Sequence, residues 1–253
     1  MQIVAIHNIE SGVGKTSTAV NLAWIAAKNG LRTLLWDLNS RAEAGLFLGA
    51  NSDPNTRMSN ELAGRVTLAD QIIGSDYENL AVVPGRWAYR NLEQLINGAA
   101  DPRRVVKSLL KPLADEYDLV VLDCPADEPE LADSVLAAAE IILVPLIPGP
   151  QALDGWQHVL DICRNSRLPV SSIYPFLNMI DYRIQLHREW LVVAPAELPR
   201  LFSAYIPFAH AVERMSITRQ PVAESDATDR VADAYQALWQ ELKRHLDEPV
   251  SDS

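Results

Sequence analysis

The stretch that decides the fold is QIVAIHNIESGVGKTS, residues 2–17. Residues 2–7 are mostly apolar and predict a buried strand, with His7 as a hydrogen-bonded structural residue at its end. Residues 15–29 predict a helix with apolar side chains on more than one face. The segment between them is a glycine-containing turn that leads from a strand into a helix, which is a typical place for a phosphate group.

Gly12 and Gly14 allow backbone N–H groups of this turn to point toward a phosphate, and the following helix N-terminus adds its dipole. Lys15 is then placed to reach the terminal phosphates, and the Thr16 hydroxyl to ligate Mg²⁺. A strict phosphate-loop pattern also requires glycine six residues before the lysine, where this chain has Ile9. The alternative interpretation is a glycine-rich turn that binds no ligand.

Short apolar segments alternate with longer helical ones along the chain. Further strands are predicted at residues 32–37, 80–83, 119–122, 141–144 and 172–177, with a last one around residues 201–206. Helices are predicted at residues 68–73, 102–116 (with Asp101 as N-cap), 128–139 and 153–164, and from residue 226 onward. Residues 51–59 are predicted to be a loop.

The predicted strands are continuously apolar, which is typical of a parallel sheet covered on both faces. The predicted fold class is therefore α/β. We expect a doubly wound, mostly parallel sheet with helices on both faces, in a single domain of residues 1–247 followed by an acidic tail of residues 248–253.

Two aspartates stand at the carboxyl ends of predicted strands. Asp37 follows LLW in the second strand, and Asp123 follows VVL in a later one. The carboxyl ends of neighbouring parallel strands face one crevice, so both carboxylates should lie beside the glycine turn. Together with Thr16 they predict a Mg²⁺ site that is reached partly through water. Each aspartate alone would be interpreted as a strand-end cap.

The composition excludes several classes of protein. With 48% hydrophobic and 22% charged residues, the chain is neither disordered nor of low complexity. Two cysteines cannot build a disulfide framework, and the longest apolar run is far shorter than the roughly 20 residues of a membrane span. The N-terminus has no secretory signal pattern, so we expect a cytoplasmic protein that does not bind membranes. The net charge of −11 argues against nucleic acid as a partner.

Nearly the whole chain resembles the ParA/MinD family of P-loop ATPases with a deviant Walker A motif, which are cytoplasmic proteins that position plasmids, chromosomes and other cargo. The segments that carry the resemblance are ESGVGKTSTAVNLA, LLWDLNSRA, YDLVVLDCPAD, IILVPLIPGPQALDGW, PFLNMID and IPFAHAVERMSITRQPV. The resemblance implies binding of ATP or ADP with Mg²⁺, with Thr16, Asp37 and Asp123 at the metal. The nucleotide-binding residues that it implies are Glu10, Ser11, Gly12, Val13, Gly14, Lys15, Thr16, Ser17, Asn178 and Pro207, the last two at the adenine.

By the same resemblance we expect a nucleotide switch: Mg·ATP favours a homodimer, and the dimer changes its affinity for a partner or adaptor protein. The rival interpretation is a catalytically weak ParA-like accessory or scaffold protein, of the kind encoded with cellulose synthase, that uses nucleotide structurally. A third interpretation, a ligase resembling dethiobiotin synthetase, needs a substrate pocket for which the sequence shows no motif.

Two residues depart from the family pattern. Glu10 stands where the family has its signature lysine, which contacts the partner's phosphates across an ATP-sandwiched dimer. A carboxylate there either repels these phosphates, by on the order of 4 kcal/mol before screening, or rotates into solvent. Arg41 is a candidate for the missing positive charge.

The second departure is Asn39, which replaces an aspartate that helps to place the attacking water. An amide cannot accept the proton of that water. The chain is therefore expected to be an ATPase that binds ATP and hydrolyses it slowly or not at all. The expected catalytic set is Lys15, Asp37, Asn39 and Asp123.

Nonspecific DNA binding, which many relatives show, is disfavoured here. Residues 207–253 contain five basic and nine acidic residues, and Arg214 and Arg219 make only a thin basic patch. A denser basic cluster consists of Arg103, Arg104, Lys107 and Lys111. The terminal helix carries an apolar stripe but ends in acidic residues, so we expect it to pack in the core and not on a membrane. Trp87 is a candidate for an exposed partner surface.

Overall fold

The computed structural model describes residues 1–39, 41–50, 67–85, 92–126, 129–165, 172–225 and 230–248. The predicted loop at residues 51–59, Trp87 and residues 249–253 of the predicted acidic tail lie outside these ranges. The strands are β1 (Gln2–Ile6), β2 (Thr33–Asp37), β3 (Ile73–Gly74), β4 (Leu80–Val83), β5 (Leu119–Asp123), β6 (Ile141–Leu146) and β7 (Ile173–Leu177). The α-helices are α1 (Lys15–Lys28), α2 (Glu43–Phe47), α3 (Glu93–Gly98), α4 (Val105–Leu110), α5 (Pro129–Ala138), α6 (Pro150–Asn165), α7 (Gln185–Glu197), α8 (His210–Thr218), α9 (Val222–Ser225) and α10 (Arg230–Asp247).

The seven strands form one sheet in the order β3-β4-β2-β5-β1-β6-β7. All neighbours pair in parallel except β3 and β4, which are antiparallel. The predicted doubly wound, mostly parallel α/β sheet is therefore confirmed. Strand β1 lies between β5 and β6, so the turn that follows it opens at the middle of the sheet's carboxyl edge.

Successive side chains of a strand point to opposite faces of the sheet. Both faces are buried here, each in its own apolar core. In β1, Ile3 and Ala5 pack into one apolar core, and Val4 and Ile6 pack into the other. Residues of α3 to α7 contribute to the first core, and residues of α1, α2 and α8 to α10 contribute to the second. The apolar stripe of α10 is buried in the second core, as predicted.

The predicted strand at residues 201–206 is wrong. Two N–H groups of this segment do bond the outer edge of β7: Phe202 donates to the Pro175 carbonyl, and Ile206 to the Leu177 carbonyl, each at 2.9 Å. The N–H groups of Ser203 and Ala204 donate instead to the Glu241 carboxylate, each at 2.9 Å. Glu241 thus competes with the sheet for this backbone, and the segment covers the edge without becoming a strand.

The predicted helix at residues 102–116 is interrupted. It consists of a 3₁₀ turn at Pro102–Arg104, helix α4, and a second 3₁₀ turn at Lys111–Leu113. Pro112 has no N–H group to continue the α-helical ladder, which accounts for the change of geometry. Asp101 makes no side-chain cap bond and instead pairs with Arg104 at 3.0 Å. The predicted helix at residues 68–73 is reduced to a 3₁₀ turn at Ala69–Gln71.

Candidate functional site

The turn after β1 wraps the N-terminus of α1. Gly12 and Gly14 have φ angles of +77° and +87°, a backbone conformation that other residues rarely adopt. A Cβ atom on Gly14 would collide with Nδ2 of Asn178, whereas one on Gly12 would meet no atom within 4 Å. Gly14 is therefore required both by its backbone conformation and by its contact with Asn178.

Asn178, directly after β7, braces this turn from the side. Its Nδ2 donates to the Val13 carbonyl at 2.6 Å, and its Oδ1 accepts the Met179 N–H at 3.0 Å. Pro207 forms an isolated parallel bridge with Ile180. Neither Asn178 nor Pro207 lines the cavity beside the turn. Their contact with adenine stays a prediction, and in this structure Asn178 supports the phosphate loop.

Lys15 begins α1 with its side chain buried beneath the turn. Its ammonium donates to the Glu10 carbonyl oxygen, with Nζ at 2.6 Å from that oxygen. The cation is thus held within the loop by a neutral oxygen. A phosphate oxygen would be a stronger acceptor for it, because a charge-assisted hydrogen bond is stronger than one to a neutral group.

Asp37 and Asp123 are brought together by the pairing of β2 with β5, in which they occupy the same register position. Both side chains are fully buried. Asp37 accepts the Asn39 N–H at 2.9 Å on Oδ1 and the Ala44 N–H at 3.1 Å on Oδ2. Burial raises the pKa of Asp37, and these backbone donors oppose the rise.

The Asp123 carboxylate differs from Asp37 in its partners. Neither of its oxygens has a hydrogen-bond partner among the described residues. Burial, followed by the charge of Asp37, raises the pKa of Asp123 well above its usual range. The Thr16 hydroxyl and the Lys15 ammonium lie close enough to oppose this rise. A buried carboxylate without a donor favours a proton or a cation beside it. Asp123 and Thr16, which are hard oxygen ligands, therefore fit a Mg²⁺ ion.

A cavity of about 720 Å³ opens beside the loop. Among the predicted site residues, those that line it are Ser11, Gly12, Gly14, Lys15, Thr16, Ser17 and Asn39. Seven further residues that had no predicted site role also line the cavity: Glu43, Phe47, Pro125, Ala126, Val212, Glu213 and Ser216. Val212, Glu213 and Ser216 belong to the segment IPFAHAVERMSITRQPV. The resemblance of this segment to the ParA/MinD family was the only sequence signal that it lies near the nucleotide site.

Glu10 does not line this cavity. Its N–H donates to Asn8 Oδ1 at 2.9 Å, and Asn8 Nδ2 donates to the Pro145 carbonyl at 2.8 Å. Its carboxylate lies against α6, where a Cβ on Gly155 would be only 3.1 Å from Glu10 Oε1. The side chain is half-buried and therefore not free in solvent, and its repulsion of a partner's phosphates stays a prediction.

Asn39 and Arg41 lie on the connection from β2 to α2. Asn39 Oδ1 accepts the backbone N–H of Arg41 at 3.1 Å, so this oxygen already has a donor. A Cβ on Gly85 would collide with the Asn39 carbonyl oxygen, so Gly85 permits the turn to pack closely. Arg41 is exposed and lines the cavity.

The expected hydrogen bond of His7 is absent. Its imidazole is 1% exposed, and neither ring nitrogen has a partner within the described parts of the chain. Burial, with the charges of Lys15 and His158, lowers the pKa of His7 to about 3. His7 is therefore a neutral, buried residue at the base of the loop.

The described residues contain neither a ready-made metal-binding cluster nor a membrane-spanning helix. No group of three or more His, Cys, Asp and Glu residues there is arranged to hold a metal ion by itself. No helix in those residues has the length and apolar character of a membrane span. A metal at this site would therefore depend on Thr16, on water and on the ligand's own oxygens in addition to the two aspartates.

Comparisons with known proteins agree with this geometry. A family model described as an AAA domain matches residues 1–170. The chromosome partitioning protein ParA of Myxococcus xanthus is 31% identical over 260 residues, which cover 99% of this chain and 90% of that protein. The septum site-determining protein MinD of Pyrococcus horikoshii, solved with Mg-ADP, is 25% identical, with a TM-score of 0.77 and 97% of each chain covered. The ATP complex of Cyanothece McdA has a TM-score of 0.81 over 96% of each chain, and its 18% identity shows likeness of fold alone.

Proposed function

Because the chain belongs to the ParA/MinD family of P-loop ATPases, we propose that it is a Mg·ATP-dependent switch that positions a cargo such as a plasmid, a chromosome or a protein assembly. The observation that carries the proposal is the cavity of about 720 Å³. The loop residues that line it are Ser11, Gly12, Gly14, Lys15, Thr16 and Ser17. This volume is in the range of small-molecule sites. The Myxococcus xanthus relative is a chromosome partitioning protein, which supports the cargo-positioning part of the proposal.

The loop and Lys15 bind the phosphates in this proposal. The N–H groups at the N-terminus of α1 point toward an anion, and Lys15 exchanges the Glu10 carbonyl for a phosphate oxygen. Thr16 and Asp123 would hold Mg²⁺, with Asp37 acting through water. Mg²⁺, when bound, neutralises charge on the phosphate oxygens. The buried Asp123 carboxylate, whose oxygens have no hydrogen-bond partner within the described parts of the chain and which lies close to the Thr16 hydroxyl, supports this assignment.

Slow hydrolysis is the second part of the proposal. Asn39 Oδ1 already accepts the Arg41 N–H, and both Asp37 oxygens accept backbone N–H groups. An amide takes no proton from water, and the backbone N–H donors of Asp37 make its carboxylate a weaker base. The described residues of the connection from β2 to α2 therefore include no carboxylate that could act as a base for the attacking water, which supports a switch with a low turnover rate.

An ATP-dependent homodimer and an adaptor protein complete the switch. The Glu10 carboxylate lies against Gly155 of α6 and does not line the cavity, so it does not face the phosphate site of its own chain. A carboxylate that stays against α6 in the dimer would be farther from the partner's phosphates, which would reduce the repulsion expected from Glu10.

Calorimetry with ATP and Mg²⁺ tests the nucleotide site. We expect Lys15→Gln to weaken ATP binding by at least about tenfold, because a charge-assisted phosphate contact is removed. Lys107→Gln, on the exposed side of α4, is the control that loses the same charge and should bind as the unmodified chain does. Absence of binding by the unmodified chain at millimolar ATP would overturn the proposal.

The scaffold alternative is favoured by one observation, the amide at position 39. Light scattering after size exclusion, without nucleotide, with ADP and with ATP–Mg²⁺, separates the two functions. The switch requires an ATP-dependent increase in mass and some turnover in a single-turnover assay. A monomer in all three conditions, with no hydrolysis, would support the scaffold.

A further inference from the structure

We propose that Arg41 contacts the terminal phosphate and gives the site its preference for ATP over ADP. This inference rests on the proposed function and names a specificity residue for the same cavity. Four features carry it: the position of Arg41 at the sheet edge, the fixed backbone at this residue, a side chain that has no partner among the described residues, and the charges around it.

Strand order places Arg41 at the far end of a bound phosphate chain. The sheet runs β2-β5-β1 in this region. The phosphate loop follows β1, Asp123 ends β5, and the connection that carries Arg41 follows β2. A chain of phosphates that begins at the loop and passes the metal ligand on β5 therefore ends closest to the β2 connection. The third phosphate, which distinguishes ATP from ADP, is the one that reaches Arg41.

The backbone at Arg41 is held by a series of hydrogen bonds. The Asn39 N–H donates to Asp37 at 2.9 Å, and the Arg41 N–H donates to Asn39 Oδ1 at 3.1 Å. The Ala42 N–H donates to the Asn39 carbonyl at 3.0 Å, and Ala42 has a φ of +53°. These bonds fix the point from which the side chain extends, so little backbone ordering is needed when an anion binds.

The Arg41 guanidinium is available for a ligand. Within the described parts of the chain it makes neither an ion pair nor a hydrogen bond, and it is exposed at the wall of the cavity. Arg32, by contrast, is engaged by Asp118 at 2.7 Å, and Arg183 by Asp181 at 2.7 Å. A planar guanidinium matches two phosphate oxygens at once, which makes arginine well suited to this position.

The surrounding charges make Arg41 decisive for the third phosphate. Glu43 and Glu213 line the same cavity, and each disfavours additional negative charge. Among the described residues that line the cavity, Lys15 in the loop is the other positive charge available to the terminal phosphates. Without Arg41, a terminal phosphate would face carboxylates on this side. ATP should therefore lose more affinity than ADP when Arg41 is replaced.

Calorimetry with a non-hydrolysable ATP analogue (AMPPNP) and with ADP, both with Mg²⁺, tests the proposal. Arg41→Ala should weaken AMPPNP binding by about tenfold or more and change ADP binding by less than about twofold. Arg41→Lys should bind AMPPNP more tightly than Arg41→Ala but less tightly than the unmodified chain. The lysine ammonium keeps the positive charge but lacks the planar pair of donors of a guanidinium. Arg164→Ala removes an exposed positive charge from α6 and is the control for the lost charge. It should leave the affinities for AMPPNP and for ADP unchanged.

Two outcomes overturn the proposal. Equal loss of AMPPNP and ADP affinity, or no loss of either, would show that Arg41 does not select the third phosphate, while the nucleotide site itself stands. An unmodified chain that binds neither nucleotide would overturn this proposal and the proposed function together.

Discussion

The buried imidazole of His7 makes a prediction about acid stability. Its pKa in the folded chain, about 3, lies below the ordinary value of 6.5. Between these pH values the unfolded chain binds a proton at His7 and the folded chain does not, so stability falls as the pH is lowered from 6.5. At pH 5 this residue should reduce the free energy of unfolding by about 2 kcal/mol.

Urea titrations at pH 7.5 and pH 5 check this prediction. His7→Leu should reduce the difference in unfolding free energy between the two pH values by about 2 kcal/mol. The comparison uses the pH difference within each variant, so any packing change from leucine cancels. The same pH difference in both proteins would show that other groups cause the acid sensitivity.

The two loop glycines make a matched pair for mutation. Gly12→Ala introduces only the left-handed backbone strain, about 1–2 kcal/mol, because its Cβ would meet no atom. Gly14→Ala adds a collision with Asn178 and must disturb the Asn178–Val13 hydrogen bond. We expect Gly14→Ala to lower the free energy of unfolding by at least about 1 kcal/mol more than Gly12→Ala, measured by urea titration. Equal losses would contradict the bracing role of Asn178.

At the residue scale, the sequence predicts what depends on strand ends and misses what depends on distant contacts. Asp37 and Asp123 were predictable neighbours, because parallel strands bring their carboxyl ends to one edge. The bond from Asn178 to Val13 joins residues 165 positions apart. The contact of Glu10 with Gly155 likewise joins distant segments. No local sequence pattern predicts this contact or the Asn178–Val13 hydrogen bond.

At the element scale, the terminal helix α10 packs in the second apolar core, so loss of its buried side chains should lower the free energy of unfolding. Trp239 is fully buried in the same apolar core as α1. Trp239→Ala should reduce the free energy of unfolding by about 3–5 kcal/mol, through lost apolar burial and the cavity left behind. Gln240→Ala, at the exposed neighbouring position, should change it by less than about 0.5 kcal/mol. Urea titration of both variants measures this, and similar values for the two would contradict the packing of α10.

Element prediction succeeded where apolar periodicity and a strand's own hydrogen bonds agree. The six predicted strands up to residue 177 are confirmed in kind, because both faces of each are buried between helices. The segment at residues 201–206 failed because Glu241, on α10, captures two of its N–H groups. Helix α7 was not predicted. Its Leu186, Val192 and Val193 are exposed, so its apolar residues do not mark a single buried face.

At the scale of the whole molecule, charge predicts weak binding to DNA. The net charge is −11, and the two basic clusters have acidic neighbours. Arg104 pairs with Asp101 at 3.0 Å, and Arg219 lines a second cavity together with Asp76 and Glu224. We therefore expect no retention of micromolar protein on nonspecific duplex DNA at about 150 mM salt, with or without ATP. A gel-shift titration measures this, and an ATP-dependent shift that persists at that salt would contradict it.

The borders of the sheet restrict how copies of the chain can associate. One border is β3, only two residues long, and the other is β7, whose outer carbonyls already accept the N–H groups of Phe202 and Ile206. Neither offers a long row of vacant donors and acceptors on which a neighbour could extend the ribbon. Within the described residues, both edges of the sheet therefore disfavour association by strand addition. The proposed homodimer would therefore have to form through other surfaces, such as the rim of the cavity where the phosphate loop opens, and its formation would then depend on the ligand bound there.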